Sequence, residues 1–370
     1  MRISFITAAL SNDGVGDYTR LLAASCQRMG HTCQIISICD HEQVSMVESD
    51  EDIQISRFQA KTFPQEKLSS IRQTLADFKP DWISLQFVPY GFEGRGCLRT
   101  FPTALMATLP DAKLQIMFHE IWSGVDRLSP FKRRILGIIQ KRYIKKMLKL
   151  LKPQSIQTSN TFYKNLLEQE SLKVSRLPLF GNIPLKNWEL DAARKQFIEP
   201  YLNSGSSNFI HIGIFGSIHR EWNPEPSLSI ISEYAGKNGK QVLFTSIGRI
   251  GAAGHLIWES MKQRHPEVTF ISHGEATSSI ISGWLQSLDF GIATSPMHII
   301  EKSGTVKAML EHGLPVVVTR LGEANNEEMA DDAQIFPFHD DFQKLFELLK
   351  RTPPRPGLEQ TTQLFIQVLS

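Results

Sequence analysis

The sequence lacks three features that would each indicate a particular class of protein. It has no apolar run near the length of about 20 residues that a membrane-spanning helix needs, so we expect none. Its four cysteines include no CxxC pair, which is evidence against a zinc site; in a 370-residue chain they indicate reduced core thiols and a cytosolic compartment. Forty Lys and Arg against 38 Asp and Glu leave a net charge of +2, too small to indicate a nucleic-acid partner.

The composition that is present is typical of a folded protein with a sizeable core. Hydrophobic residues make up 41% and charged residues 21%, as in globular rather than disordered chains. A length of 370 residues predicts two domains, or three, at about 150 residues per domain. Residues 3–10 have the length of a signal-peptide core, but a turn and an amphipathic segment follow at once, so we predict a first β-strand.

Apolar β-rich segments alternate with helical segments through the first half of the chain. RISFITAAL and HTCQIISIC flank a predicted helix in which Leu22, Cys26 and Met29 share one face. DWISLQF, KLQIMF and SIQTS continue the series, with a long helix predicted over residues 130–151. Strands separated by helices predict parallel pairing with right-handed crossovers.

A segment with two prolines and a glycine, at about residues 178–190, separates this series from a second one. FIHIGIFG, KQVLFTSIG, EVTFISHG, DFGIATS and LPVVVTR are the predicted strands of the second series. The prediction is an α/β protein of two Rossmann-like domains, residues 1–180 and 190–350, with a C-terminal helix in 351–370 that docks back toward the first domain. In open parallel sheets ligands bind beyond the carboxyl ends of the strands, so we expect the site in a cleft between the domains.

The segment from Ser295 to Arg320 carries the strongest functional signal. After a strand, a loop with Glu301 and Lys302 leads into Ser303-Gly304-Thr305, which opens a helix. Free N–H groups and the positive end of the helix dipole favour a phosphate at such a helix start. An acid beside it can accept hydrogen bonds from hydroxyls, so the ligand class is a nucleotide sugar. The alternative is an ordinary capped helix with an incidental acid–base pair.

This segment resembles the donor site of family 4 retaining glycosyltransferases of the GT-B fold. The pattern of that family is an acid, a Gly three residues later, a second acid eight residues after the first, and G-x-P-V-V. Glu301 and Gly304 match its start, and the residues from Gly313 onward match its end. Met309 stands where the second acid would, and Glu311 is about 200° further around the helix, so it does not simply substitute.

The resemblance covers nearly the whole chain and implies a role for individual residues. Two strand-to-helix turns, Gly216-Ser217 and Gly248-Arg249, resemble the diphosphate-binding turns of the family, with Arg220 as the candidate basic residue. The donor-binding set is therefore Gly216, Ser217, Arg220, Gly248, Arg249, Lys302, Ser303, Gly304 and Thr305. The catalytic candidates are His119, which follows a central strand and would contact the transferred sugar, and Glu301. The sugar and acceptor side would include Gly14, Gly16 and Asp17, in a segment that resembles the glycine-rich loop after the first strand of the family, and Tyr90, with Gln86 and Arg95 beside them.

The resulting hypothesis is a metal-independent, retaining transferase that moves a sugar from a nucleotide-diphosphate donor and needs no cofactor. The acceptor would be a glycan, a lipid-linked molecule or a small molecule. One alternative is an inactive GT-B-fold scaffold at a membrane surface, suggested by Met309. A distant alternative is an NAD-dependent enzyme, because Gly14-Val15-Gly16 and Asp40 form a partial dinucleotide fingerprint. Asp50-Glu51-Asp52 would bind a metal in another transferase fold, but here an acidic, solvated loop over Glu48–Asp52 is predicted.

A basic helix is predicted over residues 131–152. Residues 127–167 contain no Asp or Glu, and Ile135, Ile139, Tyr143 and Met147 recur at helical spacing, which predicts one face toward the core. Two interpretations remain: a solvated surface helix, or a helix at an anionic membrane surface. The second predicts a cytoplasmic protein that is peripheral at the inner membrane face.

Overall fold

The structure, a computed structural model, describes residues 1–11, 14–40, 47–50, 53–60, 65–126, 129–201, 208–321 and 332–370. It divides into two compact units. Unit 1 contains residues 1–178 and 358–370, and unit 2 contains residues 179–357. Within the described ranges, no helix is both long enough and apolar enough to cross a bilayer.

Unit 1 is built on an eight-stranded sheet with helices between the strands. Its strands are β1 Arg2–Thr7, β2 Thr32–Asp40, β3 Val47–Asp50, β4 Ile53–Gln59, β5 Trp82–Phe87, β6 Lys113–Phe118, β7 Ser155–Thr158 and β8 Ser175–Arg176. Its first six helices are α1 Gly14–Arg28, α2 Leu68–Phe78, α3 Pro89–Phe92, α4 Phe101–Thr108, α5 Phe131–Leu151 and α6 Thr161–Glu168. The strand order is β3-β4-β2-β1-β5-β6-β7-β8.

All described pairs in this sheet are parallel except one. β3 pairs antiparallel with β4, Asp50 opposite Ile53. The prediction of an acidic loop over Glu48–Asp52 was therefore wrong for residues 48–50, whose backbone forms an edge strand; residues 51 and 52 lie outside the described ranges. The central strand β1 is buried from Ile3 to Thr7, because helices cover both faces of a parallel sheet.

Unit 2 has a six-stranded, all-parallel sheet in the order β11-β10-β9-β12-β13-β14. The strands are β9 Phe209–Phe215, β10 Gln241–Ile247, β11 Thr269–Ser272, β12 Phe290–Ala293, β13 Val316–Val318 and β14 Ile335–Pro337. The helices are α7 Leu190–Phe197, α8 Glu225–Lys237, α9 Gly251–Arg264, α10 Ser278–Ser287, α11 Gly304–Glu311 and α12 Phe342–Leu348. Val316 and Val318 pack into one apolar cluster and Val317 into another, as strand alternation requires.

The last helix, α13 Leu358–Leu369, belongs to unit 1. Its fully buried Phe365 stacks on Phe5 of β1, with ring centroids 5.7 Å apart. The Thr362 hydroxyl donates to the Ser25 hydroxyl of α1 at 2.8 Å. The chain therefore leaves unit 1 after residue 178 and returns to it at residue 358.

Candidate functional site

The carboxyl ends of three neighbouring strands in unit 2 finish in glycines with a left-handed backbone. Gly216 follows β9 (φ +78°), Gly248 follows β10 (φ +92°) and Gly274 lies two residues beyond β11 (φ +66°). The Gly216 N–H donates to the Ile247 carbonyl at 2.8 Å, and the Gly248 N–H donates to the Gly274 carbonyl at 2.6 Å. The three turns are thus hydrogen-bonded to one another at one edge of the sheet.

Helix α11 begins beside these turns. A 3-10 helical segment, Met297–Lys302, leads to Ser303, whose hydroxyl accepts the Val306 N–H at 3.4 Å and lies 3.1 Å from the Thr305 hydroxyl. Ser303 is therefore the N-cap, as serine commonly is. The first N–H groups of an α-helix have no partner within the helix, so this end carries partial positive charge.

Gly216 touches the start of α11. A Cβ at this position would lie 2.9 Å from the Thr305 methyl carbon, closer than side chains tolerate. Only glycine combines the positive φ with this close approach. The turn after β9 and the first turn of α11 therefore form adjacent walls.

A cavity of about 160 Å³ lies between these walls. Apolar side chains from β9, β12 and α11 line it together with serine and threonine residues. The lining residues are Ile214, Phe215, Ser217, Ile292, Ala293, Thr294, Ser295, Ser303, Gly304, Thr305, Val306 and Met309. An anion near Gly304 and Thr305 would meet the amide end of the helix and neighbouring hydroxyl groups.

The predicted donor residues divide into those that line this cavity and those that do not. Ser217, Ser303, Gly304 and Thr305 line it, and Gly216 contacts Thr305 from beside it. Gly248 packs against Gly216, where a Cβ would lie 3.3 Å from the Gly216 Cα. Glu301 and Lys302 are half-buried in the 3-10 segment directly before α11.

The two predicted arginines are at the surface. Arg220 is exposed in the loop between β9 and α8. Arg249 is also exposed, and its Nε donates to Glu275 at 2.8 Å. A pair this exposed is worth little in water, so Arg249 is available to an anionic ligand at small cost.

Arg320 is the basic residue that sequence reasoning missed. It follows β13, and its guanidinium donates to His219 Nδ1 at 2.8 Å and to Glu221 at 3.1 Å. The His219 N–H donates to the hydroxyl of Thr294, a cavity-lining residue, at 3.1 Å. Burial lowers the pKa of His219, and the positive charge of Arg320 lowers it further. The neutral imidazole and Arg320 therefore tie the loop after β9 to the ends of β12 and β13. The only sequence signal was an arginine at the end of the predicted strand LPVVVTR.

Met309, which stands in place of the second acid of the family pattern, and Glu311, the acid two residues beyond it, have separate surroundings. Met309 is buried, lies against Gly291 of β12 and lines the cavity. Glu311 accepts the N–H of Gly181 at 2.9 Å and that of Gly357, where the chain enters and leaves unit 2. Burial raises the pKa of Glu311 to about 7. Glu311 therefore holds backbone amides and does not line the cavity, in agreement with its angular position on α11.

In unit 1, the glycine-rich segment after β1 is mostly helical. Gly14, Gly16 and Asp17 lie in the first turn of α1, so the prediction of a loop was wrong for these residues; Asn12 and Asp13 lie outside the described ranges. The positive end of the helix dipole stabilises an acidic side chain in the first turn, and Asp17 is at such a position. Tyr90, in α3, is 47% exposed.

His119 directly follows β6 and is nearly buried. Its Nε2–H donates to Gln86 Oε1 at 2.8 Å, because an amide oxygen only accepts. Gln86 Nε2 donates to Ser84 Oγ at 2.7 Å, and Ser84 Oγ donates to Gln115 at 2.6 Å. This polar chain continues to Gln157. It fixes the proton of a neutral His119 on Nε2.

The prediction that Gln86 lines an acceptor surface was wrong. Its side chain is 1% exposed and serves as the hydrogen-bond partner of His119. Arg95 has a left-handed backbone (φ 61°), and its carbonyl accepts from Gln140 of α5 at 2.6 Å. Among the described residues, no group of three or more His, Cys, Asp or Glu side chains is placed to hold a metal ion.

No known protein-family model matches the sequence, and a search of curated proteins finds no similar one. Solved structures with a similar fold do exist. Sucrose-phosphate synthase from Thermosynechococcus elongatus is 12% identical with a TM-score of 0.61, over 100% of this chain and 96% of that one. HepE from Anabaena, in complex with UDP and glucose, is 15% identical with a TM-score of 0.59, over 100% and 99%.

UDP-GlcNAc 2-epimerase from Methanocaldococcus jannaschii is also similar, at 12% identity with a TM-score of 0.54, over 100% of this chain and 99% of that one. At identities this low, the structural similarity shows a shared fold only. The prediction of an α/β protein with two Rossmann-like domains is confirmed, and the chain has the GT-B fold.

Proposed function

We propose that this protein is a glycosyltransferase that uses a nucleotide-diphosphate sugar. The observation that carries the proposal is the amide end of α11, capped by Ser303, facing the Gly216 turn across a cavity. The diphosphate of the donor would accept the N–H groups of Gly304 and Thr305, and its charge is complementary to the helix dipole. The solved complexes of the similar HepE structure with UDP and glucose support this ligand class.

In the proposed reaction, the bond between the sugar C1 and the diphosphate oxygen breaks, and the leaving oxygen keeps the electron pair. A bond forms between C1 and an acceptor hydroxyl oxygen, and the hydroxyl proton is released. The amides of α11, Lys302 and Arg220 stabilise the charge that develops on the leaving diphosphate. The family 4 resemblance supports retention of configuration at C1, without a metal ion.

The proposal also gives roles to three residues that could act on the sugar or acceptor. Glu301, two residues before the cavity-lining Ser303, accepts hydrogen bonds from sugar hydroxyls. His119 contacts the transferred sugar with its Nε2 proton held by Gln86. Tyr90 is exposed and available to an acceptor, which would be a glycan, a lipid-linked molecule or a small molecule.

The test is a panel of UDP-, GDP-, CDP- and ADP-sugars, each assayed for transfer, donor hydrolysis and epimerisation, with and without EDTA. Transfer or hydrolysis from one nucleotide class supports the proposal. We expect Glu301→Ala to lower the rate about 10- to 100-fold, the worth of a hydrogen bond to a charged group. Glu259→Ala, an exposed glutamate on α9, is the control.

Other outcomes of the panel separate the alternatives. Epimerisation alone would assign the chemistry of the similar epimerase structure instead. Binding of a nucleotide without turnover would favour the inactive scaffold, for which Met309 is the motivating residue. Binding of NAD and of no nucleoside diphosphate would contradict the donor site.

A further inference from the structure

The outer face of α5 is a second surface for which the proposed transfer reaction gives no role. This 21-residue helix carries eight Lys and Arg and no Asp or Glu. Its inner face is packed in unit 1 through Gly137, Gln140, Ile144, Met147, Leu148 and Leu151. Gln140 anchors that face, since its side chain accepts the Ser123 N–H at 2.7 Å and donates to the Arg95 carbonyl at 2.6 Å.

Four large apolar side chains stand on the opposite side. Phe131 is 76% exposed and Ile138 is 52% exposed, and Ile135 and Ile139 are exposed as well. At 100° per residue, these four cover about 100° of the helix surface, centred about 180° from the buried face. The prediction that Ile135 and Ile139 face the core was therefore wrong, because the core takes Ile144 and Met147 from the other side.

Basic side chains surround and continue this apolar patch. Lys132 and Arg134 are the nearest neighbours on its two sides, and both are exposed. One helical turn or more beyond Ile138, the same outward side carries Arg142, Lys146 and Lys149, all exposed. Lys141 and Lys145, nearer the core, both pair with Glu170. The outward side of α5 is therefore apolar in its first half and basic in its second.

We propose that the outer face of α5, defined by Phe131, Ile135, Ile138, Ile139, Arg142, Lys146 and Lys149, docks on an anionic lipid bilayer. The helix would lie in the plane of the interface, with the four apolar side chains among the acyl-chain boundary and the basic ones at the headgroups. Apolar burial and attraction to anionic lipid act together in such helices. This inference does not depend on the proposed transfer reaction.

Charge complementarity favours a bilayer over the other occupants of such a face. The basic side chains of this acid-free helix complement the negative surface potential of an anionic membrane, and its apolar patch complements the nonpolar layer beneath that surface. A second copy of α5 would bring like charges together along the basic half. A nucleic acid would leave Phe131 and the three isoleucines without a nonpolar environment.

The test is flotation of the full chain with vesicles of phosphatidylcholine, alone or mixed with phosphatidylglycerol. We expect binding to the mixed vesicles only, and weaker binding as salt is added. Phe131→Ser with Ile138→Ser should weaken binding at least about tenfold. Lys146→Glu with Lys149→Glu should weaken it at least about 30-fold, because each lost basic residue contributes about 1 kcal/mol at the surface and the reversed charges add repulsion.

Leu256→Ser is the matched control, because Leu256 is 77% exposed on α9 of unit 2, outside the outer face of α5. It should leave flotation unchanged. All five substituted side chains are exposed, so unchanged thermal unfolding will show that the variants are folded. The proposal is overturned if the wild-type chain does not float with the mixed vesicles, or if the α5 variants float as well as Leu256→Ser. It is also overturned if Phe131→Ser with Ile138→Ser instead dissociates a dimer.

Discussion

The carboxyl ends of the strands differ in kind between the two units, although both units are parallel α/β sheets. In unit 2 the strands β9 and β10 end in glycines, and the cavity beside them is walled by backbone and by short hydroxyl side chains. In unit 1 the corresponding end of β6 carries His119, held by a chain of buried polar side chains. Unit 2 is thus suited to an anion that main-chain amides bind. Unit 1 presents His119, whose Nε2–H is held by Gln86.

The first prediction tests whether the backbone of unit 2 forms the site. Gly216→Ala should weaken nucleotide binding about 100-fold, because the new methyl group displaces Thr305 and with it the first turn of α11. Titration calorimetry with the nucleoside diphosphate that the wild-type chain binds gives the measurement.

Gly239→Ala is the matched control. Gly239 also has a positive φ (+60°), so alanine there carries a similar backbone strain of about 1–2 kcal/mol, but nothing lies within 4 Å of its added Cβ. Its nucleotide affinity should equal that of the wild type. Equal loss of affinity in both variants would mean that backbone strain, and not the wall against Thr305, decides binding.

The second prediction concerns the other end of α11, where the Glu311 carboxyl accepts hydrogen bonds from the N–H groups of Gly181 and Gly357. The pKa of Glu311 is raised to about 7 in the folded chain, so protonation favours the folded state. Stability from this group is present below its unfolded pKa and is lost as the pH rises through 7. Between pH 5 and pH 8 the loss should be about 2–3 kcal/mol.

Glu311→Gln should remove that dependence, since the amide oxygen still accepts from Gly181 and Gly357 without a charge. The melting temperature of unit 2, followed by calorimetry from pH 5 to pH 8, gives the measurement. A wild-type chain and a Glu311→Gln variant with the same pH profile would contradict the assignment.

The third prediction tests whether unit 1 works through a side chain. Gln86→Met removes the acceptor of the His119 Nε2 proton and should lower kcat about tenfold while nucleotide affinity stays unchanged. Gln86→Glu keeps the acceptor and adds a negative charge, so the pH–rate profile should shift to a higher apparent pKa.

Gln34→Met is the control for disturbing the buried polar layer, because Gln34 donates to Ser4 and is equally buried. If Gln34→Met lowers kcat as much as Gln86→Met does, the buried hydrogen bonds from His119 through Gln86 have a packing role and do not position His119.

The smallest effect is expected at the cap of α11. Ser303→Ala removes an N-cap and a cavity hydroxyl, and Thr277→Ala removes the N-cap of α10, which accepts the Ile280 N–H at the same distance of 3.4 Å. Each should cost about 1 kcal/mol of stability. Only Ser303→Ala should also weaken nucleotide binding, about threefold, in a titration. A threefold loss in both would indicate a general effect of destabilisation.

Periodicity predicted the alternation of strands and helices, and the glycines predicted the turns at Gly216 and Gly248. It did not predict which side of α5 faces the core, because apolar residues lie on both sides of that helix. The strand at Glu48–Asp50 was missed because its acidic residues are typical of loops, and an edge strand tolerates them. The roles of Arg320 and Gln86 depend on partners about 100 and 33 residues away, as at His219 and His119, which no local pattern encodes.

The measurement that tests the central claim most directly is hydrogen exchange across residues 297–306, with and without the nucleoside diphosphate found by the donor panel. The N–H groups of Gly304 and Thr305 should exchange more slowly when the diphosphate accepts them. The Gly216→Ala variant should show no such protection at the same nucleotide concentration. If the nucleotide binds and these amides exchange at an unchanged rate, the diphosphate is not at the start of α11 and the proposed site is wrong.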